Sequence, residues 1–184
     1  MTCFKLASKY LNNTLVFFAN LLHLHNINNW FIGYGTLLGI VRNNSCIEGD
    51  DDVDIVIDKK HYHTIMKILK DNQFTVFDIV ADIDGAAFGY HFDNNIIKTD
   101  PTNRLSSVDF YFADVDEQGN FHDTWEKVIW SNCFVEDKQF ILYDWNGTAL
   151  PIPNNYETKL INRYGVDWQT PQDSKGPQPP KTII

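Results

Sequence analysis

The order of segments along this chain predicts an α/β (α+β) fold. A run of apolar residues at helical spacing opens it, and short β-branched or aromatic runs then alternate with further helical patterns. The length of 184 residues suits one domain, and a hydrophobic fraction of 43% supplies enough apolar material for one core. A single domain over residues 1–170 is therefore expected, followed by a Pro-rich tail over 171–184.

From about Thr2 to His25, Phe4, Leu6, Leu11, Leu15, Phe18, Leu21 and Leu22 recur at near-helical intervals, which predicts a long amphipathic helix. Its most apolar part, LVFFANLLHLHNI, is broken by Asn20, His23 and His25 and lacks the length and basic flank of a membrane span or signal peptide. In WFIGYG the pattern changes: Trp30, Phe31 and Ile32 read as a buried strand, and Gly33 and Gly35 mark a close backbone approach at its end. TLLGIVR is then a short helix, with Thr36 placed to cap it or to touch a ligand. NNSCIEG reads as loop and DDVDIVID as strand. KKHYHTIMKILKDN is a helix with Tyr62, Ile65, Met66 and Leu69 on one face, and Asp58 stands where its cap belongs.

FTVFDIV and AAFGYHF read as strands around the turn ADIDG, and DNNIIKTDPTNRL reads as a connection. SSVDFYFADV is a further strand, ended by the turn DEQGN, with short strands following through FILYDWNG. LPIP ends in a turn, and NNYETKLINRYG is a helix closed by Gly165. The tail, rich in Pro, Gln and Lys, is expected to be extended.

A net charge of -9 argues against nucleic acid as a partner, because no basic field exists to displace phosphate counterions. An anionic substrate would have to be held by a metal and a few local cations. Cys3, Cys46 and Cys133 are odd in number and widely spaced, so neither a disulfide framework nor a zinc spacing is indicated. A reducing compartment, and hence a cytoplasmic location, is the expectation.

Chemistry concentrates in IEGDDDVDIVID, where four aspartates run into a β-branched strand. Like charges at this spacing repel, and carboxylates are costly to desolvate without a positive partner. Residues at i, i+2 and i+4 of a strand share a face, so Asp50, Asp52 and Asp54 are expected to point together, with Asp51 and Val53 pointing away. Neighbours on that face stand about 6 to 7 Å apart, and paired catalytic metals about 3.5 to 4 Å apart, so these acids can grip one or two divalent cations. Oxygen ligands without a Cys or His cluster favour Mg2+ or Mn2+. A calcium loop fits badly, since its Asp spacing, its Gly and its terminal Glu are missing. A solvated acidic turn is the competing reading.

GYGTLLGIVRNNSCIEGDDDVDIVID, taken whole, resembles the LicD/fukutin family. Gly35, Thr36, Leu37, Leu38, Gly39 and Arg42 match its Gly-Thr-Leu-Leu-Gly helix, and Asp50, Asp51, Asp52 and Asp54 match its Asp-rich strand. LPIPNNYETKLINRYGVDW is similar to the family's closing turn and helix, so the resemblance spans roughly residues 15 to 170. One departure is Glu48-Gly49, where family members carry a Pro-Trp or similar pair.

The resemblance implies a nucleotidyltransferase-like fold, a mixed β-sheet flanked by helices. It also implies a reaction: transfer of a phospho-alcohol such as phosphocholine, ribitol phosphate or a sugar phosphate from a nucleotide-linked donor, characteristically a CDP-alcohol, to a glycan acceptor. Asp52 and Asp54 are then the metal ligands, with Asp50 beside them. Asp109 in SSVDFYF is the third carboxylate from a later strand, binding metal or accepting the acceptor's proton. Gly33, Gly35 and Thr36 would let backbone N–H groups approach the donor phosphates, and Arg42 falls at the family's Arg position. Lys59, Lys60 and Arg104 are weaker cation candidates. His91 reads as a half-buried strand histidine, and Tyr164 and Gly165 read as structural parts of the closing motif. Transfer of the nucleotide itself to a protein or small molecule, and a non-catalytic nucleotide- or metal-binding module, are the alternatives.

Overall fold

The computed structural model describes residues 8–78, 86–90, 105–172 and 182–183, with the backbone alone for 75–78, 86–90 and 182–183. Helix α1 (Ser8–Leu24) leads into β1 (Trp30–Ile32), α2 (Tyr34–Asn43), β2 (Asp52–Asp58), a 3-10 turn (Lys59–His61) and α3 (Tyr62–Asp71). Strands β3 (Thr75–Asp78), β4 (Ala86–Tyr90), β5 (Ser107–Val115), β6 (Phe121–Asp123) and β7 (Val128–Trp130) follow. The chain continues through β8 (Ile141–Trp145), β9 (Thr148–Ile152), α4 (Tyr156–Tyr164) and β10 (Thr182–Ile183).

The main sheet runs β1-β2-β5-β6-β7-β10, with β4 also on β5 and β3 outside it. It is mixed: β2 and β5 are parallel over Asp52–Asp58, β7 and β10 are parallel, and the other pairs are antiparallel. Strand β5 is central, with β2 along one edge and β4 then β6 along the other. It is buried continuously from Val108 to Ala113, as a two-sided strand requires.

Helix α1 covers one face because Leu11, Leu15, Phe18, Ala19 and Leu22 fall on one stripe at intervals of about 3.6 residues. Phe18 stacks edge-on against Phe110 at 5.4 Å and meets Phe74 at 5.2 Å. A second aromatic group gathers Phe31 with Phe121, Trp130 and Phe140 at 5.2–5.6 Å. The same helix also anchors backbone on both sides of the central strand pair. Asn12 accepts from Cys46 N–H at 2.9 Å and donates to Ser45 Oγ at 3.0 Å, and Thr14 Oγ1 accepts from Ser106 N–H at 2.7 Å. These bonds hold the segments that lead into β2 and into β5.

Three boundaries differ from the sequence reading. Helix α2 starts at Tyr34 rather than Thr36, because the extended Gly33 is its N-cap and its carbonyl accepts from Leu37 N–H at 2.8 Å. Strand β2 starts at Asp52, so Asp50 and Asp51 belong to the turn before it and the shared-face argument covers Asp52 and Asp54 alone. Helix α4 starts at Tyr156 rather than Asn154, because LPIP ends, as expected, in a turn at Asn154 and Asn155. Before that turn LPIP completes the β8–β9 hairpin, whose Asn146 and Gly147 take φ of 51° and 83° as a tight two-residue hairpin turn demands. Asp58 does cap the following turn, accepting from Lys60 N–H at 3.0 Å. The expected turn at 81–85, the connection through 93–104, His91 and Arg104 lie outside the described residues.

Gly39 shows why α2 needs its second glycine. A Cβ there would lie 2.7 Å from the Ser45 carbonyl oxygen and 2.9 Å from Ile47 N, both backbone atoms of the loop that α1 holds. Overpacking of this kind costs about 1–3 kcal/mol, against about 1 kcal/mol gained in helix propensity. Gly39→Ala is expected to lower the denaturant midpoint at unchanged m value, by about 1–2 kcal/mol in unfolding free energy.

Candidate active site

The parallel register of β2 and β5 sets Asp54 directly beside Asp109, and Asp52 lies one same-face step away, opposite Ser107. Asp54 is 5% exposed and Asp109 7%. Every visible contact of Asp54 serves to orient it. Tyr111, on the same face of β5 as Asp109, donates its hydroxyl to Oδ1 at 3.1 Å. Thr36 donates its N–H to Oδ2 at 3.1 Å, while its hydroxyl accepts from Asp54 N–H at 2.8 Å. Both polar groups of Thr36 are thus directed to the acid, so it positions Asp54 rather than presenting an N–H to phosphate.

Asp50 and Asp51 enter from the turn before β2. Asp51 N–H donates to Asp50 Oδ1 at 3.2 Å, and carboxylate oxygens of Asp50, Asp51 and Asp52 come within 4.8 Å of one another. Gly35 lies against them. A Cβ there would stand 2.8 Å from Asp50 Oδ2 and 3.3 Å from Asp54 Oδ2, so any side chain would fill the space between the two acids.

Burial and crowding raise the proton affinity of the group. Burial first, then the charges of Asp109, Asp51 and Asp50, push Asp52 up to about 9. Burial and the charge of Asp54 push Asp109 up to about 8. Asp54 is raised well above the carboxylate range by burial and by Asp52 and Asp50, and Asp50 is raised chiefly by burial. Burial, with the charge of Asp54 next, raises the Tyr111 phenol, so it remains a hydrogen-bond donor.

A wall of aromatic residues backs the acids. The Tyr34 ring lies 4.6 Å from that of Tyr111, its hydroxyl bonds to the buried Asp123 carboxylate, and Trp130 Nε1 donates to that hydroxyl at 3.3 Å. Tyr34 has a φ of 43°, a left-handed conformation that an aromatic residue adopts only when its surroundings enforce it. Tyr164, at the end of α4, has its phenol pushed up to about 12, first by burial and also by Asp54 and Asp50.

The structure therefore brings together Asp50, Asp52, Asp54, Asp109, Gly35 and Thr36. It does not bring Arg42 to them, and Gly33 borders them with its N–H already donated to the Asp54 carbonyl at 3.2 Å. A Cβ on Gly33 would strike Val56 Cγ2 at 2.7 Å, so that glycine serves packing on the sheet. Arg42 sits at the far end of α2, where Nη1 donates to the Trp168 carbonyl at 3.4 Å. Lys59 and Lys60 pair with Asp114 at 3.6 Å and Asp58 at 2.8 Å, at the opposite end of β2. Asp51, Tyr111 and Tyr34 are site residues that sequence reasoning missed. Tyr111 was legible as the i+2 neighbour of Asp109.

The donor set fits a hard divalent cation. It is made of carboxylate oxygens with no thiol or imidazole in it, Gly35 keeps space open beside two of them, and ionising them together requires a positive partner. Among the described residues, Asp50, Asp51 and Asp52 bring carboxylate oxygens close enough together to hold such a cation, with Asp54 and Asp109 buried beside them.

A family model described as LicD/FKTN/FKRP, nucleotidyltransferase domain, matches residues 27–155. Among solved structures, the fold is similar to that of the lincosamide antibiotic adenylyltransferase LnuA, determined with lincomycin bound. The TM-score is 0.54 at 13% identity, covering 78% of this chain and 80% of that one. A direct comparison with curated sequences gives no match.

The raised carboxyls set a pH dependence with a definite sign. In the unfolded chain Asp52 and Asp109 titrate near about 4. Folded and metal-free they titrate at about 9 and about 8, so between these limits the folded state holds protons that the unfolded state has lost. Stability from this pair is complete below about pH 4 and declines as pH rises toward about 8 to 9. Asp58 and Asp116, whose carboxyls are lowered, act in the opposite sense but only below about pH 4. Melting temperatures of the metal-free protein are expected to fall from about pH 5 to about pH 8. Added Mn2+ should flatten that slope and release protons on binding, which calorimetry in buffers of different ionisation enthalpy detects.

Proposed function

This chain belongs to the LicD/FKTN/FKRP nucleotidyltransferase-domain family, and from that membership we propose a metal-dependent transferase that moves a phospho-alcohol from a CDP-linked donor to a glycan hydroxyl. The phospho-alcohol is of the phosphocholine, ribitol phosphate or sugar phosphate type. The observation that carries the reading is the in-register pair Asp54 and Asp109 on parallel strands, with Asp52 one same-face step along β2 and Asp54 held by Tyr111 and Thr36. Shared chemistry between neighbouring strands, rather than a string of exposed acids, is what such transfer needs.

The acids would hold a divalent cation that would supply charge neutralisation for the donor diphosphate and for the departing nucleotide monophosphate. Asp52 and Asp54 supply its ligands from one strand. Asp109 faces them from the next and takes the proton of the attacking hydroxyl, which forms the new P–O bond as the bond to the nucleotide phosphate breaks. Thr36 and Tyr111 keep the Asp54 carboxylate fixed, as outer partners of a metal ligand do. Gly35 leaves room for a phosphate oxygen close to Asp50 and Asp54.

Two measurements test this. Asp54→Asn is expected to abolish Mn2+ binding and lower turnover about 100-fold or more, while Tyr111→Phe weakens Mn2+ binding about 10- to 100-fold with the fold intact. A donor screen with CDP-choline, CDP-ribitol and the nucleoside triphosphates, read by mass shift of a glycan acceptor in Mn2+, identifies the transferred group. Appearance of the nucleotide on the acceptor would replace phospho-alcohol transfer with nucleotidyl transfer. Unchanged metal affinity in Asp52→Asn and Asp54→Asn would remove the metal assignment.

A further inference from the structure

Arg163, in the last turn of α4, is a guanidinium that the fold holds in place without satisfying it. Its Cζ lies 4.4 Å over the Tyr34 ring and 5.7 Å over the Tyr164 ring. Its Nε and Nη1 are buried with no hydrogen-bond partner among the described residues. Its remaining nitrogen, Nη2, faces Glu126 Oε2 at 3.7 Å, beyond hydrogen-bond length, and the side chain as a whole is 15% exposed. An arginine near a helix C-terminus complements the helix dipole, but that role does not require burying two donors unpaired.

The position of Arg163 relative to the acids is fixed from two sides. Tyr34, on which it stacks, lies 4.6 Å from Tyr111, whose hydroxyl binds Asp54. The Tyr164 hydroxyl, buried beside it, responds to Arg163 in one direction and to Asp54 and Asp50 in the other. Among the described residues, Arg42, Lys59 and Lys60, the cations the sequence offered for an anion, are turned to Trp168, Asp114 and Asp58.

We propose that Arg163 binds the diphosphate of the nucleotide donor, a phosphate oxygen displacing Glu126 from Nη2 of the guanidinium. A planar, always-charged guanidinium stacked on an aromatic face is suited to phosphate and loses little freedom on binding it. Glu126 is then a competing carboxylate that keeps the cation from standing unpaired between turnovers. The inference rests on the transferase reading above, but its test does not require a particular nucleotide.

The test is calorimetric titration of the full chain with inorganic pyrophosphate in Mn2+, for wild type, Arg163→Gln and Glu126→Gln. Arg163→Gln is expected to weaken pyrophosphate binding about tenfold with Mn2+ uptake unchanged, and Glu126→Gln to tighten it by about two- to fivefold. A loss under about threefold in Arg163→Gln, or a loss accompanied by failure to take up Mn2+, overturns the assignment. Should Arg163→Gln fail to fold, Glu126→Gln decides, since unchanged or weaker binding there also overturns it. A wild-type chain that binds Mn2+ but not pyrophosphate overturns it as well. A wild-type chain that binds no Mn2+ defeats the metal-dependent reading instead, and pyrophosphate titrated without metal then reads Arg163 by the same comparison.

Discussion

The parallel pairing of β2 with β5 is the constraint from which the rest of this molecule follows. It places Asp54 against Asp109 with no freedom to separate, and Asp52 one same-face step away, in surroundings from which water is largely excluded. Desolvation and mutual repulsion both act against the ionised forms. The surrounding residues answer that load in part: an amide from Thr36 and a phenol from Tyr111 solvate one carboxylate, and burial with mutual repulsion pushes the other two up to about 8 and about 9. Buried acids with this much unmet demand for positive charge form a site because something else completes them.

Holding the two strands in register is the work of elements that carry no acid. Helix α1 contributes the stripe that covers β2 and β5, and Asn12 and Thr14 bind backbone just ahead of each strand. Tyr34 is retained in a left-handed conformation by Asp123, Trp130 and the ring of Tyr111. The aromatic side chains are therefore split between two jobs: packing the sheet and walling the acids.

The elements that position the site were legible because their patterns are local. Alternating β-branched residues announced β2, a continuous apolar run announced β5, and the aspartates on each were readable as strand acids from their neighbours. What failed was the extent of β2. Two-residue periodicity cannot say where a strand begins, so Asp50 was assigned to the strand face and Asp51 turned away, whereas both belong to a turn that gathers them with Asp52. Thr36 was noticed for the right position and given the wrong partner, because a contact with Asp54 joins segments that only tertiary structure brings together. Arg42 matched a motif position yet lies at the far end of α2. Arg163 had no signal at all, since unsatisfied buried nitrogens and stacking on Tyr34 exist only in three dimensions. The Asn146-Gly147 hairpin did have one and was passed over.

The bond from Ser106 N–H to Thr14 spans 92 residues, and it has a consequence for synthesis on the ribosome. The first acids emerge with β2, yet their partner on β5 and the anchor for its leading end arrive only after the whole intervening crossover has been translated. Until then the nascent chain carries its aspartates hydrated and apart, free of the crowding that closure imposes. Assembly of the charged centre is thus deferred to a late, long-range docking event, with α1 already waiting to receive it.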